Sequence, residues 1–269
     1  MMHESSIPTK QRVVLLGASN VRMSLASAIA TARGYLGTPL DVLVAAGHGR
    51  SYGQPTRVLA RTLSGISECE LWEHLDQSGA AATHALVTDI GNDLLYGSTP
   101  QQTIDWVRTC IDRLAEHGTE VVISRLPMAS IESLSAARFR VFRRLLFPGN
   151  RMSLSDLRSR ARELDDGLEE LADGQRMQLV RPEHQWYGLD PIHPRFRHWD
   201  ASYERFLAGW KREGNHDSPP GPRPSPPVSW GDHLRASLWT SSRRLVWGKV
   251  RSTAQPCARL RDETRVWMF

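Results

Sequence analysis

Val13-Val14-Leu15-Leu16-Gly17-Ala18-Ser19-Asn20 is the stretch that decides the fold. Four consecutive apolar residues make a run short enough for a buried strand. Residues 21–32 then carry Val21, Leu25, Ala26, Ile29 and Ala30 at the spacing of one helical face. The stretch therefore predicts a strand, a tight turn and a helix, with Ser19 in the turn. Gly17 lends that turn conformational freedom. A helix start places free backbone N–H groups and partial positive charge beside the Ser19 hydroxyl, which suits a nucleophile that must stabilise an oxyanion. Taken alone, the pattern fits Ser19 or Asn20 as an ordinary helix cap better than it fits a nucleophile, and only the rest of the chain shifts that balance.

The same alternation continues outward. A second buried strand is expected over residues 40–46, ending in Gly47-His48-Gly49-Arg50-Ser51-Tyr52-Gly53. Residues 54–64 read as a helix with Val58, Leu59 and Leu63 facing inward. A third strand, residues 85–90, runs into Gly91-Asn92-Asp93. Residues 101–117 form an amphipathic helix with Ile104, Val107, Ile111 and Leu114 on one face, and residues 120–124 a fourth strand. Helices are expected over residues 131–147, with Phe139, Phe142 and Leu145 on a stripe, and over residues 155–172. A short fifth strand, 177–180, leads to Asp190-Pro191-Ile192-His193-Pro194, and a helix follows with Phe196, Trp199, Tyr203, Phe206, Leu207 and Trp210 on one face. Strands alternating with helices imply a parallel sheet covered on both sides, whose sites lie at the C-terminal ends of its strands. Ser19, Gly49, Asn92 and the Asp190–His193 pair each follow a strand. Four polar signals thus converge on one sheet edge.

Composition bounds the rest. The 269 residues, 40% of them hydrophobic, suffice for one sizeable α/β domain with an appendage. Residues 10–213 make the main domain, and residues 1–213 carry 25 basic residues against 25 acidic. Residues 214–229, rich in Pro and Ser, read as an extended linker. Residues 230–269 form a basic tail containing Trp230, Trp239, Trp247 and Trp267. The nine basic and four acidic residues from 214 onward account for the whole net charge of +5. The polar start, with no apolar signal region, is read as cytoplasmic. Cys69, Cys110 and Cys257 are too scattered for a disulfide framework, and the spacing of His184, His193, His198 and Asp190 matches no metal motif. The glycine turn lacks the further glycines of a dinucleotide site and the lysine of a P-loop.

As an ordered set, Gly17-Ala18-Ser19-Asn20, the Gly47–Gly53 loop, Gly91-Asn92-Asp93 and Asp190-Pro191-Ile192-His193 resemble the SGNH hydrolases, also called GDSL esterases and lipases. The resemblance spans about residues 12–210. It implies a three-layer α/β/α, flavodoxin-like domain. It implies Ser19 as nucleophile, His193 as general base and Asp190 as the group that orients His193. The backbone N–H groups of Ser19 and Gly49 and the Asn92 side chain would form the oxyanion hole, with Gly47 competing with Gly49. Asp93 would support the Asn92 loop. The family usually has Asp before the serine. Here Ala18 stands in that place, which puts the local support of the turn in question.

The activity this implies is hydrolysis of a carboxylic ester, of short acyl or acetyl type by family practice, through an acyl-serine with no metal or organic cofactor. The substrate would be a small-molecule or carbohydrate ester, and no nucleic-acid partner is expected. Acyl transfer at the same site and an inactive, hydrolase-like binding module are the alternatives. The basic, Trp-containing tail reads as a separable attachment for an anionic surface or a protein partner, or as a segment packed back on the domain by its tryptophans.

Overall fold

Gln11–Leu16 forms strand β1, and Val13 to Leu16 are all fully buried. The chain then turns into helix α1, Ser19–Met23, and helix α2, Leu25–Leu36. The single helix expected here is divided at Ser24, whose hydroxyl donates back to the Asn20 carbonyl at 2.5 Å and bends the axis. Strand β2, Leu40–Ala45, is buried along its whole length. Such near-continuous apolar strands are what a sheet covered on both faces requires. The computed structural model describes residues 11–79, 81–147, 149–173, 177–210 and 228–269. The expected linker, apart from its last two residues, and the boundary at 213 lie outside the described residues.

Residues 54–64 are not a helix. They form a hairpin of β3, Thr56–Val58, and β4, Arg61–Leu63, turning at Leu59, which has φ 55° and is 92% exposed. The apparent helical stripe fails because Leu59 is a turn residue, and because the far edge of β4 is taken by a strand nearly two hundred residues later. Helix α3, Leu71–Gln77, follows, then β5, Ala82–Val87, and the short α4, Asn92–Leu95. Helix α5, Pro100–Glu116, starts at a capping box between Thr99 and Gln102 and buries the expected Ile104, Val107, Ile111 and Leu114. Strand β6, Glu120–Ser124, matches expectation. After it come α6, Met128–Glu132, α7, Ala136–Leu146, and α8, Leu154–Ala172. Strand β7, Met177–Val180, precedes the loop to α9, Trp199–Leu207. Phe196 lies before α9 and is half exposed, so it does not share the helix's buried face.

Five parallel strands stand in the order β2-β1-β5-β6-β7. This is the flavodoxin-like order, and its switch point lies between β1 and β5. One apolar cluster packs α3, α5 and α8 on one face of the sheet, and another packs α2 and α9 on the other. The α/β/α layering is the one expected. Among the described residues no helix is long and apolar enough to cross a membrane.

The tail packs back on the main domain, one of the two arrangements expected of it. After α10, Trp230–Ser237, strands β8, Arg243–Val246, and β9, Lys249–Ser252, join β3 and β4 in a second, four-stranded sheet. Strand β10, Ala258–Arg259, then leads to β11, Arg265–Met268, which pairs in parallel with β2 and extends the main sheet to seven strands. Val266, Trp267 and Met268 are buried there, and Arg265 makes a two-pronged ion pair with Asp41 at 2.8 Å. The buried guanidinium of Arg22 donates to the carbonyls of Ala236, Ser237 and Trp239, fastening α10 to the helix that begins with Ser19. Of the tail's four tryptophans only Trp267 is deeply buried, while Trp230 and Trp247 stay largely exposed.

Candidate active site

The loops that follow β1, β2 and β5 leave the sheet side by side, because these strands are neighbours. The β1 loop carries Ser19. Its helix has no side-chain cap from its own sequence: Ala18 occupies the cap position, and Ser19 is the first helical residue. The missing acceptor comes from Asp89, just after β5. One Asp89 oxygen accepts from the backbone N–H groups of Ala18 at 2.7 Å, Asn20 at 3.1 Å and Val21 at 3.4 Å. The other accepts from the Asn20 side chain at 2.6 Å. Asp89 has φ 61°, a left-handed conformation that Asp tolerates better than most residues. Burial pushes its carboxyl up, and these donors pull it the other way. A carboxylate at the helix start thus supplies the support that Ala18 cannot. Gly17 is required for space, since a Cβ there would press on Val21, Thr88 and Asp89; it does not adopt a positive φ.

The Ser19 hydroxyl lies 2.8 Å from His193 Nε2, and His193 Nδ1 lies 2.7 Å from an Asp190 oxygen. The carboxylate accepts the Nδ1 proton, which leaves Nε2 bare to accept from Ser19. The other Asp190 oxygen accepts from the backbone N–H groups of Ile192 at 3.0 Å and His193 at 3.1 Å, so the carboxylate is held at both ends. Burial acts to raise the Asp190 carboxyl, but the His193 contact and these N–H donors outweigh it and hold it below the usual carboxylate range. Two further contacts place the loop. Arg138 on α7 donates to the carbonyls of Gly188 and Leu189 at 2.8 and 2.6 Å, and the Asn20 side chain donates to the Ile192 carbonyl at 3.0 Å. Asn20 therefore bridges the serine turn, Asp89 and the histidine loop.

Gly49 has φ 62° and is half-buried, whereas Gly47 is buried. The Tyr96 hydroxyl, from the end of α4, donates to the Gly49 carbonyl at 2.6 Å. The fully buried Asp93 accepts from the Ser51 hydroxyl and from the Tyr52 N–H at 3.0 Å, joining the β2 loop to the β5 loop. Burial pushes its carboxyl up to about 6 against those hydrogen bonds. His48, at the rim of the same loop, is held below the usual imidazole range by desolvation of its ring and by the positive charges of Arg22 and Arg61. An apolar cavity of about 110 Å³ opens beside Asn92, Asn20 and Ile192. Among the described residues no group of three or more His, Cys, Asp and Glu is placed to share a metal ion.

The sequence pointed to Ser19, Asp190, His193, Gly49 and Asn92, and all five stand on the C-terminal edge of the sheet. It missed Asp89, Arg138 and Tyr96. Each acts across a long sequence separation, and none belongs to a local motif.

No protein-family model and no curated protein matches the chain. Solved structures do resemble it. A carbohydrate acetylesterase from Sinorhizobium meliloti, Est24, aligns at 14% identity and a TM-score of 0.49, over 75% of this chain and 100% of its own. A member of the lipolytic G-D-S-L family from Veillonella parvula aligns at 12% identity and 0.47, over 74% and 98%. A further solved structure reaches a TM-score of 0.50 at 10% identity, over 72% and 94%. The sheet order above identifies the architecture, and the alignment at 0.50 agrees with it. The chain has a flavodoxin-like α/β/α fold. At such identities the likeness is one of fold alone, and what this sheet edge does must come from its own residues.

Proposed function

We propose that the protein is a serine ester hydrolase. The observation that carries this reading is the hydrogen-bonded relay from Ser19 through His193 to Asp190. Serine is a weak nucleophile at neutral pH and needs a base within hydrogen-bond reach. In this reading, Ser19 Oγ attacks the ester carbonyl carbon while His193 Nε2 takes its proton. The carbonyl π electrons move to oxygen, where the N–H groups of Ser19 and Gly49 and the Asn92 amide stabilise the oxyanion. Collapse breaks the bond to the alcohol, which leaves with the proton held on Nε2. Water, deprotonated by the same nitrogen, then attacks the acyl-serine and releases the acid and free Ser19. These steps call on no metal or organic cofactor. Neither the Ser19 nor the Gly49 N–H meets an acceptor among the described residues, which fits donors kept for substrate.

The Sinorhizobium protein is described as a carbohydrate acetylesterase, and a solved structure from M. smegmatis as an aryl esterase. A small-molecule or carbohydrate ester is the matching substrate class here. An alcohol in place of water would turn the same acyl-serine to transfer. The test is labelling with a fluorophosphonate, followed by a panel of p-nitrophenyl esters and acetylated sugars with product analysis. Labelling and turnover that both vanish in Ser19→Ala support the reading. Unchanged turnover in a folded Ser19→Ala variant sinks it.

For the basic C-terminal region, an anionic surface is the partner that fits. Strands β3, β4, β8 and β9 with their turns carry Arg57, Arg61, Arg243, Arg244, Lys249 and Arg251 and no carboxylate, and they expose Leu59 and Trp247 at neighbouring turns. Co-sedimentation with phosphatidylglycerol vesicles but not phosphatidylcholine vesicles, weakened by salt and by Trp247→Ala, is the expected result. Equal partition to both vesicle types counts against it.

A further inference from the structure

The cavity beside Asn92 bears on which ester the site takes. Asn92, Asn20 and Ile192, which neighbour the relay in sequence or in the proposed chemistry, line it, and its walls come from α4, α6, α7, α8 and α9. Leu126, Leu134, Phe139, Phe142, Phe147 and Leu157 form much of its wall. We propose that this cavity is an acyl-chain site, and that the ester hydrolysed carries an unbranched hydrocarbon acyl group of about four to six carbons rather than acetyl. The inference rests on the hydrolase reading above.

Geometry separates the two sides of the ester. The departing alcohol oxygen must lie beside His193 Nε2, since it takes the proton from there. Neither Ser19 nor His193 takes part in the cavity wall, whereas their neighbours Asn20 and Ile192 and Asn92, read as a donor to the carbonyl oxygen, do. The substituent reaching past Asn92 into the cavity is therefore the acyl chain.

The chemistry of the wall selects hydrocarbon. Three charged side chains line it, and each is already paired. Asp89 accepts the four hydrogen bonds at the serine turn. Arg125 is locked to Asp165 at 2.7 Å and to Glu169 at 2.9 Å. Arg143 donates to the Met152 carbonyl at 2.7 Å. The Tyr203 hydroxyl is likewise engaged with Ser24 at 2.8 Å. A sugar or an ionised acyl group entering here would lose its water and find the charged groups of the wall taken, with the buried Oδ1 of Asn20 the polar atom left without a partner among the described residues. A methylene chain loses nothing and gains burial.

Size sets the length. An apolar cavity of about 150 Å³ lined by Leu, Ile and Phe accepts benzene, a six-carbon ring. At that packing the roughly 110 Å³ here holds about four carbons beyond the carbonyl carbon. The wall is formed by residues from six helices, α1, α4, α6, α7, α8 and α9, and from the loops between them, so it has no contiguous signature in the sequence.

The experiment uses the full chain and p-nitrophenyl esters from acetate to dodecanoate, below their aggregation limits. The specificity constant kcat/KM should rise by about fourfold per methylene from acetate to hexanoate and fall by dodecanoate. Leu134→Trp, which fills the cavity, should lower the hexanoate-to-acetate ratio at least about tenfold, while Phe142→Ala, which deepens it, should move the optimum to octanoate or beyond. Fluorophosphonate labelling of each variant reports whether the Ser19 relay is intact. An acetate rate equal to or above the hexanoate rate in a labelled wild type overturns the acyl-chain site and leaves the hydrolase reading standing. A chain-length profile unmoved by both labelled variants overturns it too. No labelling and no turnover at any length overturns the hydrolase reading, and this inference with it.

Discussion

Asp89 takes three backbone N–H groups at the start of α1, and Ser19, the one residue it skips, keeps its own N–H without an acceptor among the described residues. The carboxylate both anchors the turn and leaves that donor free for substrate. Asp89→Ala orphans these groups and should cost about 1–3 kcal/mol of stability. It should also lower kcat well beyond what the shift in Tm explains, because the Ser19 donor and hydroxyl move together. Asp89→Asn keeps an acceptor for the backbone and should fall in between. Thermal melts beside kcat measurements check the order. In the relay itself, Ser19→Ala and His193→Ala should each abolish nearly all turnover, and the double variant should be little worse than either, because the two act as one unit. Additive losses would argue against a shared mechanism. Asn92→Ala should reduce kcat by roughly 10²–10³ with little change in KM, as expected of a donor engaged by an oxyanion more than by a carbonyl.

At the level of elements, the site is an agreement among loops. The β1 and β5 loops are joined by Asp89, the β2 and β5 loops by Asp93, and the histidine loop is held from one side by Asn20 and from the other by Arg138 on α7. Asp93 makes one of these joints depend on pH. Its carboxyl, raised to about 6 in the folded protein, lies above its unfolded value near 3.8. The protonated form is favoured by folding, so its contribution is fully present below about pH 4 and is lost as pH rises through about 6, by about 2–3 kcal/mol. Asp93→Asn removes that titration. The variant's Tm relative to wild type should therefore improve between pH 4.5 and 7.5, and a pH-independent difference would refute the assignment. Arg138→Ala should release Gly188 and Leu189 and reduce turnover through the placement of His193. Fluorophosphonate labelling rates slowed in parallel with kcat would mark that cause.

For the whole molecule, the decisive feature is that the chain returns to its own sheet. Strand β11 covers the free edge of β2 and buries Val266, Trp267 and Met268. At about 1.5–3 kcal/mol for each large apolar side chain, their loss approaches the 5–15 kcal/mol that holds a typical domain together. A chain ending before residue 258 also exposes the edge of β2, an invitation to aggregate. Such a truncation should be insoluble, or should melt far below the full chain in a thermal shift assay. A folded, active product would show that the five-strand sheet suffices.

The sequence by itself determined the parallel α/β/α architecture, because doubly buried strands and amphipathic helices carry their signal in a few consecutive residues: Val13 to Leu16, Leu40 to Ala45, and the stripe on α5. It also placed Ser19, Gly49, Asn92, Asp190 and His193 on one edge, because strand ends converge there whatever the details of packing. What it could not carry were features made by partners far apart along the chain. Residues 54–64 became a hairpin because β8 pairs with β4. The tail entered the sheet because β2 offered an edge. Asp89 came to cap a helix seventy residues upstream, and an apolar cavity arose where α4, α6, α7, α8 and α9 meet. Local periodicity records how a segment divides itself between water and core. Only the packed structure decides which distant segment occupies the other side of each contact, and that choice is where the support of the site and the shape of its cavity reside.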